Sequence, residues 1–195
     1  SGTELLDRST SGIRLDGNDI VTIPDDDAWD IVDEYSITGW VYIDEHPDTR
    51  NHVPSIVGRS SGSNSVRWAV ADSYNRKCLR YFFEDADGHQ IDLVGSDSDL
   101  PEDEWYFFAV TLDLDSGLLQ SYLDNDHYQE DYDISSLTGS MVDDGGLIIG
   151  TKVYGDGAPY LKARIDKLCF YKRVLTEEEI LAEYNLGRGV YSVPN

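Results

Sequence analysis

The sequence predicts an all-β protein, an antiparallel β-sandwich with one short helix near its C-terminus. Short runs rich in β-branched and aromatic residues alternate in polarity and are separated by turn residues. No helical period appears before residue 176, so the helical crossovers that a parallel sheet needs are missing. With 195 residues, the chain is long enough for a single domain, residues 1–195, with a core of its own.

Turn residues divide the chain into about a dozen predicted strands. The Asp87-Gly88 pair predicts a tight hairpin, and Trp105–Leu112 is apolar enough to be central and buried on both faces. Residues 96–103 and 124–144 are acidic and are predicted to be loops. The predicted strands are Gly12–Asp16, Asp19–Ile23, Tyr35–Ile43, Val53–Gly58, Ser65–Ala71, Lys77–Glu84, Gln90–Val94, Trp105–Leu112, Leu118–Leu123, Gly146–Thr151 and Lys162–Tyr171.

The helix has a clear start signal. Thr176 followed by Glu179 forms a capping box, in which each side chain bonds the backbone amide of the other residue. The residues Ile180, Leu181 and Tyr184 then form an apolar stripe at helical spacing. Gly187 is predicted to end the helix in a left-handed conformation.

The chain is strongly acidic, with 38 Asp and Glu against 15 Lys and Arg and a net charge of −23. Such a surface repels nucleic acid and anionic lipid, so neither is an expected partner. The acidic residues are 27 Asp and 11 Glu, and the basic residues are 5 Lys and 10 Arg. This pattern is typical of proteins that work in molar salt, although an acidic protein from an ordinary organism is the alternative. No apolar run approaches the ~20 residues that cross a bilayer.

Two cysteines, Cys78 and Cys169, lie in apolar strands. Buried free thiols are the default interpretation, and one disulfide is the alternative, because sequence gives no distance between them. The chain has no CxxC pair and no histidine pair at the spacing of a zinc protease. The cysteines and histidines therefore predict no metal or redox centre.

Five segments resemble, in their order and spacing, the laminin-G-like branch of the concanavalin A-like lectin/glucanase superfamily. The last of them continues into Tyr171–Ile180, which resembles the closing strand and short helix of that family. The resemblance implies a jelly-roll of two packed antiparallel sheets, and non-covalent recognition of glycans or surface proteins, often with calcium. The segments are Ile13–Pro24, Tyr35–Ile43, Pro101–Asp113, Leu118–Asp124, and Gly146–Gly150 with Ala163–Tyr171.

The resemblance also implies a structural calcium site where the turn after the first strand meets the last strand. The matching ligands are Asp16, Asp19 and Asp166, together with a carbonyl of Gly17 or Asn18. Oxygen ligands of this kind suit calcium. The alternative is that residues 16–19 form a hairpin turn and that Asp166 accepts hydrogen bonds from nearby amides.

No catalytic arrangement is predicted, so the chain is expected not to be an enzyme. Glucanases of the superfamily carry an E-x-D-x-x-E strand motif, in which two carboxylates flank the glycosidic bond. The acidic runs at Glu84 and Glu102 do not continue into that motif, and no G-x-S-x-G motif is present.

Glycan binding is the expected chemistry, because sugars stack on aromatic rings and hydrogen-bond to charged side chains. Trp40 and Trp105 match family positions that belong to the core. The preferred ligand-binding residues are Tyr154, Asp156 and Tyr160 of a Gly-rich loop, followed by Tyr74 and Arg76 in a turn and by Trp68 on a strand face.

The sequence therefore predicts a lectin-like module, outside the cell or on a surface, that binds a glycan or glycoprotein and does not insert into membranes. The alternative is a structural or adhesion component of a virion or cell surface, which would allow an oligomer. Ser1 is compatible with removal of an initiator Met, and equally with a cut in a larger secreted protein or a cloning scar.

Salt should stabilise this chain. At −23, the self-repulsion of the folded state is screened when the screening length falls to about 3 Å at 1 M salt. We expect the melting temperature to be much higher in about 2 M KCl than in dilute buffer. An unchanged melting temperature would contradict the halophilic interpretation.

Overall fold

The computed structural model describes residues 12–46, 54–61, 66–73, 77–94, 100–124, 128–151 and 160–188. In these residues, two antiparallel six-stranded sheets pack face to face. Sheet A has the strand order β1-β12-β3-β8-β9-β10, and sheet B has the order β2-β11-β4-β5-β6-β7. The elements are β1 (Ile13–Asp16), β2 (Val21–Ile23), β3 (Glu34–Glu45), β4 (Ser55–Ser60), β5 (Arg67–Ser73), β6 (Cys78–Glu84), β7 (Gln90–Val94), β8 (Trp105–Asp113), β9 (Leu118–Leu123), β10 (Tyr128–Asp133), β11 (Leu147–Ile149), β12 (Lys162–Tyr171) and the helix α1 (Glu177–Arg188).

The predicted sandwich is confirmed, and no boundary of a predicted strand differs by more than two residues from the observed one. One strand was missed: β10 lies inside the acidic segment that was predicted to be a loop. The predicted hairpin at Asp87-Gly88 joins β6 to β7, and Gly88 has a φ of 84°. This left-handed conformation favours glycine in a tight turn.

The first two strands do not form a hairpin. β1 pairs with β12 in sheet A, whereas β2 pairs with β11 in sheet B, so the turn at residues 17–20 carries the chain from one sheet to the other. The alternation of β3 is confirmed. Ile37, Val41 and Ile43 are buried between the sheets, and Trp40 belongs to a second cluster on the outer face of sheet A.

Helix α1 covers that outer face. Its predicted capping box is present, with Thr176 N donating to Glu179 Oε2 at 3.0 Å and Glu179 N donating to Thr176 Oγ1 at 3.3 Å. Tyr184 stacks on the indole of Trp40, with 5.6 Å between ring centroids and an interplanar angle of 18°. Ile180 is also buried, but the third stripe residue, Leu181, is 40% exposed.

Gly187 does not end the helix, contrary to the prediction; the helix continues to Arg188. A Cβ atom at Gly187 would lie 2.0 Å from Trp40 Nε1. The glycine is therefore needed because the helix backbone lies directly against the indole ring.

A buried cation closes each end of the sandwich. At one end, Arg59 has a side chain only 1% exposed. It donates to the Gly145 carbonyl at 2.5 Å and to the carboxylates of Asp30 and Asp25 at 2.7 Å each. At the opposite end of β5, His46 contacts Asp72. Both cations are fully engaged, as buried charges must be.

The two cysteines are on different sheets, Cys78 on β6 and Cys169 on β12, and both are free thiols. Both are free, as the default interpretation of the sequence has it, but only Cys78 is buried, and Cys169 is partly exposed.

The Gly187→Ala substitution tests the contact between helix and sheet by the sign of its effect. Helix propensity alone predicts stabilisation by about 1 kcal/mol. The steric conflict with Trp40 predicts destabilisation by about 1–3 kcal/mol instead. Denaturant unfolding of the variant decides between these two expectations. The control is Leu186→Ala, at an exposed residue of the same helical turn. A stabilised Gly187→Ala variant would contradict the described packing.

Candidate functional site

Four of the six predicted ligand-binding residues, Tyr74, Arg76, Tyr154 and Asp156, lie outside the described residues. Tyr160 is described: it is 39% exposed and forms an isolated β-bridge with Thr151, beside β12. The side chain of Tyr160 is therefore available at the surface.

Trp68 does not lie on an open face, and this prediction needs correction. Its side chain is fully buried between the sheets, with ring centroids 6.4 Å from Tyr35 and 6.5 Å from Phe170. Its strand neighbours Arg67 and Ala69 point the opposite way, because alternate residues of a strand face opposite sides. Trp68 contributes to the core and cannot stack on a sugar.

The three predicted calcium ligands do not converge. β1 and β12 pair as expected, but the register sets Asp16 opposite Lys162, four residues from Asp166 along β12. Four strand residues span about 13 Å, so one ion cannot bridge the two carboxylates. Asp19 Oδ2 accepts from Asp16 N at 3.0 Å, and Asp166 Oδ1 accepts from Lys167 N at 2.8 Å. Among the described residues, no group of three or more His, Cys, Asp or Glu is placed to hold a metal.

The outer face of sheet B, which we call face B, carries a row of small residues beside an aromatic ring. Cross-strand pairing aligns Gly58 of β4, Ala69 of β5 and Phe82 of β6. Gly58 and Ala69 are buried although they point away from the core, whereas Phe82 is partly exposed. Phe82 is therefore the residue of this row whose apolar side chain reaches the surface.

Charged side chains flank the Phe82 ring in two ion pairs. Arg67 contacts Glu84 directly across the β5–β6 ladder, and the Arg67 guanidinium carbon lies 5.7 Å from the Phe82 ring centroid. Arg80 donates from Nε to Asp92 Oδ1 at 2.6 Å and from Nη2 to Asp92 Oδ2. Face B thus presents an aromatic ring between two arginine–carboxylate pairs.

The outer face of sheet A is a weaker candidate. Helix α1 covers part of it, over β3 and β8. Next to the helix, the Arg164 guanidinium lies 4.4 Å from the centroid of the Tyr42 ring and donates to Asp44 at 2.9 Å. The guanidinium lies closer to the Tyr42 ring than the Arg67 guanidinium lies to the Phe82 ring, at 4.4 Å against 5.7 Å.

The buried pair His46–Asp72 has the residue types of a catalytic base and its orienting carboxylate, but its geometry does not support catalysis. His46 Nδ1 lies 2.8 Å from Asp72 Oδ2, and Nε2 lies 2.6 Å from the Leu100 carbonyl oxygen. Both partners are acceptors, so both ring nitrogens donate and the imidazole is protonated. A protonated histidine with both nitrogens engaged cannot take a proton from a nucleophile.

Burial is the largest influence on the pKa of His46 and lowers it. The hydrogen bond and charge of Asp72, the Leu100 carbonyl and the charge of Glu102 together outweigh burial, so the pKa is raised above its usual value of 6.5. This agrees with the two-donor geometry of the ring.

The fold is the jelly-roll sandwich of lectin-like proteins. The chain belongs to the concanavalin A-like lectin/glucanase superfamily, whose laminin G-type family model matches residues 15–181. No curated protein sequence matches the chain. Among the described residues, no helix is long and apolar enough to span a membrane.

Binding domains are among the solved structures that share this fold. The binding domain of Paraclostridial Mosquitocidal Protein 1 has a TM-score of 0.69 and 16% identity, over 91% of this chain and 46% of that one. The sialidase CBM40 of Ruminococcus gnavus, solved with α2,3-sialyllactose, has a TM-score of 0.62 and 11% identity over 88% and 94%. The binding domain of botulinum neurotoxin DC, in complex with rat synaptotagmin II, has a TM-score of 0.62 and 12% identity over 89% and 40%. This chain spans less than half of the two toxin domains.

The residues of face B were assigned to strands by the sequence analysis but not to a site. Arg67, Ala69, Phe82 and Asp92 each alternate with core residues, and that alternation is visible in the sequence. The missing information was which side of each strand faces the core.

The raised pKa of His46 predicts a pH dependence of stability. The stabilisation by the protonated ring is fully present below the unfolded-state pKa of about 6.5. It is lost as the pH rises through the higher folded-state pKa. The free energy of unfolding, measured across this range, should therefore fall, and His46→Gln should remove the fall. The control His89→Gln, at a half-exposed histidine, should retain it. An unchanged pH profile in His46→Gln would contradict the assignment.

Proposed function

We propose that this chain is a non-catalytic module that recognises glycans, or glycosylated surface proteins, through face B. The observation that carries the proposal is the partly exposed Phe82 ring between the pairs Arg67–Glu84 and Arg80–Asp92. A sugar presents an apolar C–H face and a rim of hydroxyl groups, and face B offers a partner for each.

The contacts can be assigned by chemistry. The Phe82 ring would stack on the apolar face of a sugar. Hydroxyl groups would donate to the carboxylate oxygens of Asp92 and accept from guanidinium N–H groups of Arg80. Such charge-assisted hydrogen bonds are stronger than neutral ones. Because each pair is already held in place, little side-chain entropy is lost on binding.

The similar structures support recognition as the activity. One is a carbohydrate-binding module solved with sialyllactose. A second is a structure from botulinum neurotoxin type C, whose cell entry depends on interaction with two ganglioside molecules. A third is the binding domain of botulinum neurotoxin DC, solved in complex with rat synaptotagmin II. These ligands belong to those proteins, but they are glycans or surface proteins in each case.

We also propose that the module works outside the cell or on a surface, in a high-salt environment. The aspartate excess and the charge of −23 support this setting. A virion or cell-surface adhesion component would use the same chemistry to attach to glycosylated surfaces, and remains the second interpretation.

We still propose calcium binding from the family resemblance, but not with Asp16, Asp19 and Asp166 as the ligands of one ion. We expect millimolar calcium to raise the melting temperature at constant high KCl because a bound ion stabilises the folded state. Magnesium is the control for general screening. Equal shifts with the two ions would exclude a specific calcium site.

The Phe82→Ala substitution tests the location of the glycan site. Removing the ring should weaken binding by about tenfold or more, corresponding to about 1–3 kcal/mol of lost stacking. A glycan array in high salt identifies a ligand, and titration calorimetry then compares the parent and variants. Tyr160→Ala, at the edge of the alternative loop site, is the matched control. Loss of binding in Tyr160→Ala alone would move the site to that loop.

A further inference from the structure

The charges of face B cancel, although the chain as a whole carries −23. The face holds two arginines and two carboxylates, arranged as Arg67–Glu84 and Arg80–Asp92. Arg67 lies directly opposite Glu84 in the β5–β6 ladder. Arg80 and Asp92 lie on the neighbouring strands β6 and β7, offset by two residues. Among the described strand residues of face B, each arginine therefore already has a carboxylate partner.

The guanidinium groups are engaged by carboxylates in the way that an acidic sugar would engage them. Arg80 binds both oxygens of Asp92, from Nε and from Nη2. This bidentate geometry is the one by which arginine recognises a ligand carboxylate. A sugar carboxylate would have to displace Asp92 from Arg80 to gain the same contact.

Displacement at the second pair is costlier still. The side chains of Arg67 and Glu84 are only 15% and 10% exposed. A sugar carboxylate that took Arg67 would leave Glu84 charged, poorly hydrated and without its partner. Breaking a buried ion pair by removing one partner is strongly unfavourable.

We infer that the ligand of face B is an uncharged glycan, and that sialylated or otherwise acidic glycans are excluded. This inference rests on the proposed function and narrows it. Hydroxyl groups satisfy face B because they donate to Asp92 and Glu84 without breaking either pair. A carboxylate accepts hydrogen bonds only, and it adds a like charge beside the two that are present.

The dependence of glycan binding on salt concentration separates the local competition for Arg67 and Arg80 from the effect of the net charge. Repulsion by the whole acidic surface is long-ranged and disappears in molar salt, where the screening length is about 3 Å. The competition for Arg67 and Arg80 acts at contact distance and persists. Exclusion of acidic glycans should therefore remain at high salt.

The experiment compares neutral oligosaccharides with their sialylated counterparts on one array, in about 2 M KCl, using the whole chain. We expect binding to neutral members and about tenfold weaker binding, or none, to each sialylated counterpart. Equal or tighter binding of the sialylated counterpart overturns this inference and leaves the proposed function intact. Binding to neither class overturns the proposed function and the inference with it.

A pair of variants tests whether the paired charges on face B cause the preference for neutral glycans. Asp92→Asn frees Arg80 from its carboxylate and should shift the neutral-to-acidic affinity ratio several-fold toward acidic glycans. Glu178→Gln makes the same change in net charge on the exposed first turn of α1, over the other sheet, and should leave the ratio unchanged. Melting temperatures confirm that both variants fold. Equal shifts in the two variants, or no shift in Asp92→Asn, would show that paired charges on face B do not set the preference.

Discussion

The contact between helix α1 and Trp40 determines how the two faces of the sandwich are used. Tyr184 stacks on the indole, and Gly187 allows the helix backbone to lie against its edge. This contact converts part of the outer face of sheet A into a second small core, which also contains Trp105 and Phe107. The central strands β3 and β8 are consequently buried on both sides. In the described part of the chain, no helix packs on sheet B in the same way.

Face B follows from that asymmetry. A strand residue that points away from the core is usually polar and exposed, yet Gly58 and Ala69 are small and buried there, while Phe82 is apolar and partly exposed. Neither the buried small residues nor the partly exposed aromatic ring belongs to the core between the sheets. Two arginine–carboxylate pairs neutralise this face on a surface that is otherwise strongly acidic. The aromatic ring between two neutralised ion pairs is the feature of this face on which the proposed sugar recognition depends.

Local signals in the sequence predicted the structure well, whereas features that depend on tertiary contacts were missed. The capping box involves residues three apart, and the hairpin at Gly88 involves neighbours, so both could be recognised. The role of Gly187 depends on a ring 147 positions earlier in the chain, and propensity alone suggests a helix end. Asp16 and Asp166 were separated by strand register, which the sequence does not encode locally. Trp68 was expected on an open strand face but lies in the core, because alternation defines two faces without saying which one is inside.

The central claim is that face B, and not the helix-covered face, contacts the ligand. It is tested most directly by backbone amide chemical shifts, recorded by NMR in high salt with and without a saturating neutral oligosaccharide from the array. The account predicts that the largest shifts occur in β5, β6 and β7, around Ala69, Phe82 and Asp92. Shifts confined to α1 and the outer face of sheet A, or to the residues around Tyr160, would contradict it.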